Sequence, residues 1–187
     1  MGRGRMRVRE ALTPTFGNSW RLEELTVNYR TPAQIAASAE SMALEHGLAV
    51  TRSRSVRSSE WPVVVHETTG ADVATTVRSI IDADRAIDSA ATIAVIASAH
   101  TAESLFGALE AALGPVVGRG AAGLRRAVAV LTPQESKGLE FDSVIVVEPS
   151  RIVAEIDRGA AALYVAMTRP TQRLQLVASG PIPRGIR

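Results

Sequence analysis

Hydrophobic residues along the chain fall into two alternating patterns. In TPAQIAASAESMALEHG, which begins at Thr31, residues Ile35, Ala39, Met42 and Ala43 recur at three- and four-residue spacing. That is the period of a helix burying one face. Thr31 can cap it, Pro32 suits its first position and Gly47 can stop it. A second stripe of Val73, Val77, Ile80 and Ile81 predicts a helix over 70–86. Two more helices are predicted over 103–113, ending at Gly114-Pro115, and over GAAALYVAMTR. Between the helices stand short, continuously apolar runs: VVVH, ATIAVIAS, AVAVLT, SVIVVE and LQLVA. Runs without a polar face predict strands buried on both sides, and their alternation with helices predicts an α/β fold with an open, mostly parallel sheet. The polar, Ser/Arg-rich TRSRSVRSSEWP is expected to be a loop. Five strands and about four helices fill one domain over 20–187. Residues 1–19 read as a flexible basic leader, in which Arg3, Arg5, Arg7 and Arg9 alternate with small or apolar residues. A solvated tail is the expectation there, and a nucleic-acid-binding arm the alternative.

Composition narrows the function classes. The 187 residues carry 21 Lys+Arg against 19 Asp+Glu, a net charge of +2, so the chain is no bulk polycation that grips nucleic acid by charge alone. There is no cysteine, which excludes disulfides and Cys-based zinc or iron–sulfur sites and fits a cytoplasmic protein. His46, His66 and His100 share no ligand spacing, so no metal site is expected. Aromatic residues make up 4%, too few for an extended stacking platform. No apolar run is long enough to span a membrane, and the start lacks the apolar core of a signal peptide. Lys137 is the sole lysine, and it lies in a Gly-containing motif.

Ligands in open parallel sheets sit outside the carboxyl ends of the strands, which directs attention to the segments expected there. In TPQESKGLEFD, residues 132–142, Thr132 and Gln134 can hydrogen-bond phosphates. Gly138 permits close backbone approach or an unusual dihedral, and Glu140, between inward-pointing Leu139 and Phe141, suits a sugar hydroxyl. A plain turn leading into the next strand is the competing reading. In LYVAMTR, Arg169 ends a helix that Pro170 stops. It can reach for a phosphate or merely complement the helix dipole. In NYR, Tyr29 offers a ring for a purine and Arg30 a fork for a phosphate. GRGAAG at 118–123 fits G-x-G-x-x-G but precedes a predicted strand, so a flexible connection is expected instead.

Taken in order, LTVNYRTPAQI, VLTPQESKGLEFDSVIVV and ALYVAMTRPTQRLQLV resemble motifs IV, V and VI of the second RecA-like domain of UvrD/Rep-type superfamily 1 helicases. The resemblance implies a RecA-like, P-loop-NTPase-type sheet that closes over ATP held, with its magnesium, by a first RecA-like domain. It implies that Tyr29 stacks on adenine, Arg30 reaches the γ-phosphate and Glu140 contacts the ribose side. Arg169 would be the arginine finger, and Thr132 would lie near a nucleic-acid backbone. This sequence contains no G-x-x-x-x-G-K-[ST] and no apolar strand ending in Asp-Glu, so the P-loop and magnesium ligands are expected from a partner first domain. Motif V, usually Thr-x-His, reads Thr132-Pro133-Gln134, and about 100 residues separate motifs IV and V. The compact spacing, the wording LTPQESKGLEFD and the ending SGPIP look most like the HelD branch, helicase-like ATPases that bind and recycle bacterial RNA polymerase. The expected function is half of an ATP-dependent DNA helicase-like motor, with RNA polymerase and DNA as further partners. A non-hydrolysing remnant that docks on RNA polymerase or nucleic acid is the alternative.

Overall fold

The computed structural model describes residues 14, 15 and 27–186. Apart from Pro14 and Thr15, the leader expected over 1–19 lies outside them. Strand β1 (Val27–Asn28) and strand β2 (Arg54–Ser55) form a small parallel ladder, and helix α1 (Ala33–Glu45) lies between them in sequence. The Ser/Arg-rich segment therefore contains a strand where only a loop was expected. The remaining elements are β3 (Val64–Glu67), α2 (Val73–Ile87), β4 (Ile93–Ile96), α3 (Ala99–Leu113), β5 (Val117–Arg119), the single turn α4 (Gly120–Gly123), β6 (Val128–Leu131), β7 (Phe141–Val147), α5 (Pro149–Glu155), α6 (Gly159–Met167) and β8 (Pro170–Ala178).

β3 to β8 form one sheet in the order β3-β8-β7-β4-β6-β5, and every neighbouring pair is parallel. Strand alternation sends Ala94, Ile96, Val144, Val146, Leu174 and Leu176 to the face covered by α1, α5 and α6. It sends Ile93, Val95, Ile145, Val147 and Val177 to the face covered by α2 and α3. Both faces of the central strands are thus dry, which is why their sequences show no polar alternation. The predicted stripes Ile35–Ala39–Met42–Ala43 and Val73–Val77–Ile80–Ile81 are all buried.

Three local expectations need correction. Thr31 does not cap α1. Asn28 Oδ1 accepts the N–H groups of both Arg30 and Thr31 at 3.0 Å, so the chain turns there first and the helix opens after Pro32. The sheet has six strands rather than five, because Val117–Arg119 adds an edge strand beside β6. That strand holds the start of GRGAAG, so the segment is a packed strand-to-turn junction and not a flexible connection. A Cβ on Gly118 would stand 2.6 Å from Gly123 Cα, so the two backbones can meet only as glycines.

Candidate functional site

The first residues of the adjacent strands β7 and β8, Phe141 and Pro170, are in register, and Phe141 N–H donates to the Arg169 carbonyl at 3.2 Å. The residues just before them, Glu140 and Arg169, are therefore brought side by side. They stand at the amino ends of the strands, opposite to the carboxyl-end position expected from the sequence. The reason is geometric. The segment 132–140 leaves β6 at its carboxyl end and must cross to the other edge to enter the parallel β7. Helix α6 likewise runs against the strands and ends where β8 begins. Arg30 arrives from the turn before α1, and its Nη1 donates to Glu140 Oε1 at 2.8 Å. The two side chains are 38% and 50% exposed, so this ion pair adds at most about 1 kcal/mol of stability. Tyr29, next in the chain to Arg30, projects its ring into solvent with 71% exposure. Gly138 takes φ +82°, with nothing within 4 Å of where a Cβ would stand. That positive φ is the unusual dihedral expected of this glycine.

Arg169 is not a free projection from the helix end. Its Nε donates to the Val165 carbonyl at 2.9 Å, Nη1 to the Leu139 carbonyl at 3.3 Å and Nη2 to Thr168 Oγ1 at 3.1 Å. The guanidinium so bridges the end of α6 to the segment entering β7. Burial first, and then the nearby Arg30 charge, lower its pKa against the opposing pull of Glu140 and Tyr164. Burial raises the pKa of Tyr164, with Glu40 adding to the effect. Two guanidiniums here share one carboxylate, and Arg30 Nε is buried without a hydrogen-bond partner. Such a cluster has spare donors and spare positive charge for an anion.

Thr132 and Gln134 lie apart from this cluster, at the carboxyl end of β6. Thr132 donates both its N–H (2.7 Å) and its hydroxyl (3.0 Å) to Glu135 Oε2, and Arg119 Nη1 donates to the same oxygen at 2.8 Å. Glu135 and Arg119 were not singled out from the sequence. The T-x-x-E spacing of a capping box was the available signal for Glu135. Arg119 was hidden inside the discounted glycine motif. Burial raises the Glu135 pKa, but the Thr132 N–H, Arg119 and the Thr132 hydroxyl together outweigh it and hold the group below its ordinary 4.5. At the opposite edge, burial is likewise outweighed at Asp142 by the Thr92 N–H and hydroxyl, Gln172 and Arg173, which hold it below 3.8.

Carboxylates with depressed folded-state values contribute stability that is present above their unfolded values and lost as pH falls through the folded ones. The urea midpoint should therefore hold above about pH 5 and fall steadily below about pH 4. Replacing Glu135 by Gln and Asp142 by Asn together should flatten that fall. An unchanged acid profile in the double variant would assign the lability to other groups.

Among the described residues no cluster of three or more His, Cys, Asp or Glu could hold a metal ion, and no helix is long and apolar enough to cross a membrane. No curated protein matches the sequence. Among solved structures, the chain is similar to the C-terminal domain of a possible DNA helicase from Lactobacillus plantarum WCFS1. That match has 24% identity and a TM-score of 0.62, and it covers 85% of this chain and 92% of that one. It is also similar to the Sulfolobus solfataricus SWI2/SNF2 ATPase core in complex with dsDNA, at 12% identity and a TM-score of 0.49, over 87% of this chain and 35% of that one. Residues 127–177, which run from β6 through β7 and α6 into β8 and carry Thr132, Glu140 and Arg169, match the UvrD-like helicase C-terminal domain, and the sheet around them has the fold of a helicase RecA-like domain.

Proposed function

We propose that this chain is the second RecA-like half of a helicase-like ATPase and that it closes over a nucleotide held by a first RecA-like domain. The observation that carries this reading is the convergence of Arg30, Glu140 and Arg169 at the amino ends of β7 and β8, beside the exposed Tyr29 ring. The residues fit ATP: two cations share one carboxylate, one guanidinium nitrogen is buried without a partner, and an aromatic face is free. ATP, with magnesium held by the first domain, would supply a γ-phosphate whose transfer builds negative charge. Arg30 and Arg169 would stabilise that charge, Glu140 would orient Arg30 and meet the ribose side, and Tyr29 would cover the base. Gly138 would let the chain turn into Glu140, and Thr132 and Gln134 would face nucleic acid at the other edge. The compact spacing and the wording of residues 132–142 favour a HelD-type protein in the cytoplasm, with RNA polymerase as a docking partner.

One observation favours the second reading, a non-hydrolysing module that docks on RNA polymerase or nucleic acid. All three Arg169 nitrogens already donate within the free chain. The test separates the two readings. The purified chain alone should hydrolyse ATP no faster than a mock preparation, because its sequence lacks a P-loop. Addition of a UvrD-type first RecA-like domain should produce turnover that neither half has alone. Turnover by the chain alone, or none from the assembled pair, would overturn the motor reading.

A further inference from the structure

The carboxyl edge of β6 holds a donor set directed at an anion. Thr132 N–H, the Thr132 hydroxyl and Arg119 Nη1 converge on one point from the end of β6 and the end of β5. These are the groups that hold a phosphate oxygen elsewhere: a backbone amide, a hydroxyl and a guanidinium. Here the point is filled by Glu135 Oε2, three residues along the same turn. Glu135 is 40% exposed, so its carboxylate lies within reach of solvent and of competitors.

An independent feature lies beside it. A cleft of about 320 Å³ is lined by Gln134 and Lys137 from the same turn and by Asp157 and Arg158 at the start of α6. Neither the Lys137 ammonium nor the Arg158 guanidinium has a carboxylate partner among the described residues. Lys137 of the turn and Arg158 at the amino end of α6 together outweigh the single Asp157 carboxylate, and this net positive surface is suited to a polyanion.

We propose that Glu135 occupies, in the free chain, the place between Arg119 and Thr132 that the proposed function gives to a nucleic-acid backbone phosphate, and that a single strand lying along Lys137 and Arg158 displaces it. This rests on the nucleic-acid part of the proposed function and on none of its ATP chemistry. Glu135 is then an internal competitor. It keeps the cradle assembled when no strand is bound, and it makes binding weaker than the donor set alone would give.

The test is fluorescence anisotropy of a labelled oligothymidylate with the purified chain, over a range of salt concentrations and without nucleotide. Glu135→Gln keeps an acceptor for the Thr132 N–H but removes the competing charge. It should bind at least about 5-fold tighter at every salt concentration with a similar log K against log salt slope, because the same number of phosphates is bound and only the carboxylate to be displaced is gone. Glu103→Gln removes the same charge beside the same arginine (3.7 Å) but from a 75% exposed position outside the cradle. It should change affinity less than about 2-fold, because a screened surface charge acts weakly. Arg119→Ala placed on Glu135→Gln should abolish the gain. Equal effects of Glu135→Gln and Glu103→Gln would reduce the result to net charge and overturn the proposal. If Glu135→Gln lowers the thermal midpoint, the wild-type chain decides by NMR. The Thr132 amide resonance should shift on titration with the oligonucleotide, and an unmoved Thr132 amide at saturation would overturn the displacement. Failure of the ATP reading shows instead in turnover and leaves these measurements untouched.

Discussion

Replacing Arg169 by alanine in the chain assembled with a first RecA-like domain should lower kcat by roughly 10³-fold or more, the loss expected of an arginine finger. The contacts of Arg169 sharpen the expectation. A guanidinium presented freely at a helix end would contribute under about 1 kcal/mol to folding. Here it ties the Val165 and Leu139 carbonyls together, joining α6 to the entrance of β7. Hydrogen bonds from a charged donor are each stronger than neutral ones, and this side chain is only partly exposed. The alanine variant should therefore also lose about 1–2 kcal/mol of stability. Arg169→Lys should recover little of either effect, since one ammonium cannot span three acceptors in a plane. The measurements are turnover per folded molecule and the thermal midpoint of both variants. A stability loss of the expected size with normal turnover would show that Arg169 only braces the helix end. That outcome would favour the docking module.

The order of elements was legible because parallel strands buried on both faces cannot hide: Ile93–Ile96 and Val128–Leu131 are apolar at every position. The edge strand Val117–Arg119 was not legible. It is three residues long, contains a glycine, and exists only because β6 offers it a partner. The residues Arg30, Glu140 and Arg169 could be singled out in the sequence, but not the edge of the sheet at which they meet. The segment 132–140 spans the thickness of the domain. Its first residues, Thr132 to Lys137, serve the carboxyl edge, and Glu140 serves the amino edge. No pattern in a single sequence states where within such a crossing segment the chain changes sides. Glu135 was readable as a capping residue three places after Thr132, yet its union with Arg119 depends on β5 pairing with β6, a contact between residues far apart in the chain.

Asp84→Ala should cost about 3–5 kcal/mol, the range for leaving one member of a buried ion pair without its partner. Asp84 continues the apolar stripe of α2, three residues after Ile81, and is 3% exposed. It meets Arg173 of β8, 4% exposed, at 3.5 Å between Oδ1 and Nη1. Asp84 also accepts the Ser143 hydroxyl of β7 and, at 3.3 Å, the Gln175 amide of β8, so it joins a helix to two strands. The compensation on the Arg173 side is thinner. Its Nε and Nη1 have no hydrogen-bond partner, and its other supports are the Trp61 ring, 5.1 Å from the guanidinium carbon, and the nearby charge of Asp142. Removing the carboxylate therefore leaves a nearly buried cation without its ion-pair partner, supported by an aromatic face and the charge of Asp142 alone. Asp84→Asn retains an acceptor for Ser143 but not the charge, and should fall between wild type and alanine. Replacing both members by apolar residues of similar size, Asp84→Leu with Arg173→Met, removes the stranded charge and should restore most of the loss. Urea denaturation of the double variant beside Asp84→Leu and Arg173→Met singly gives the coupling directly. A double variant as unstable as the sum of its parts would show that Asp84 and Arg173 act separately, and that the stripe of α2 tolerates its aspartate for the Ser143 and Gln175 hydrogen bonds alone.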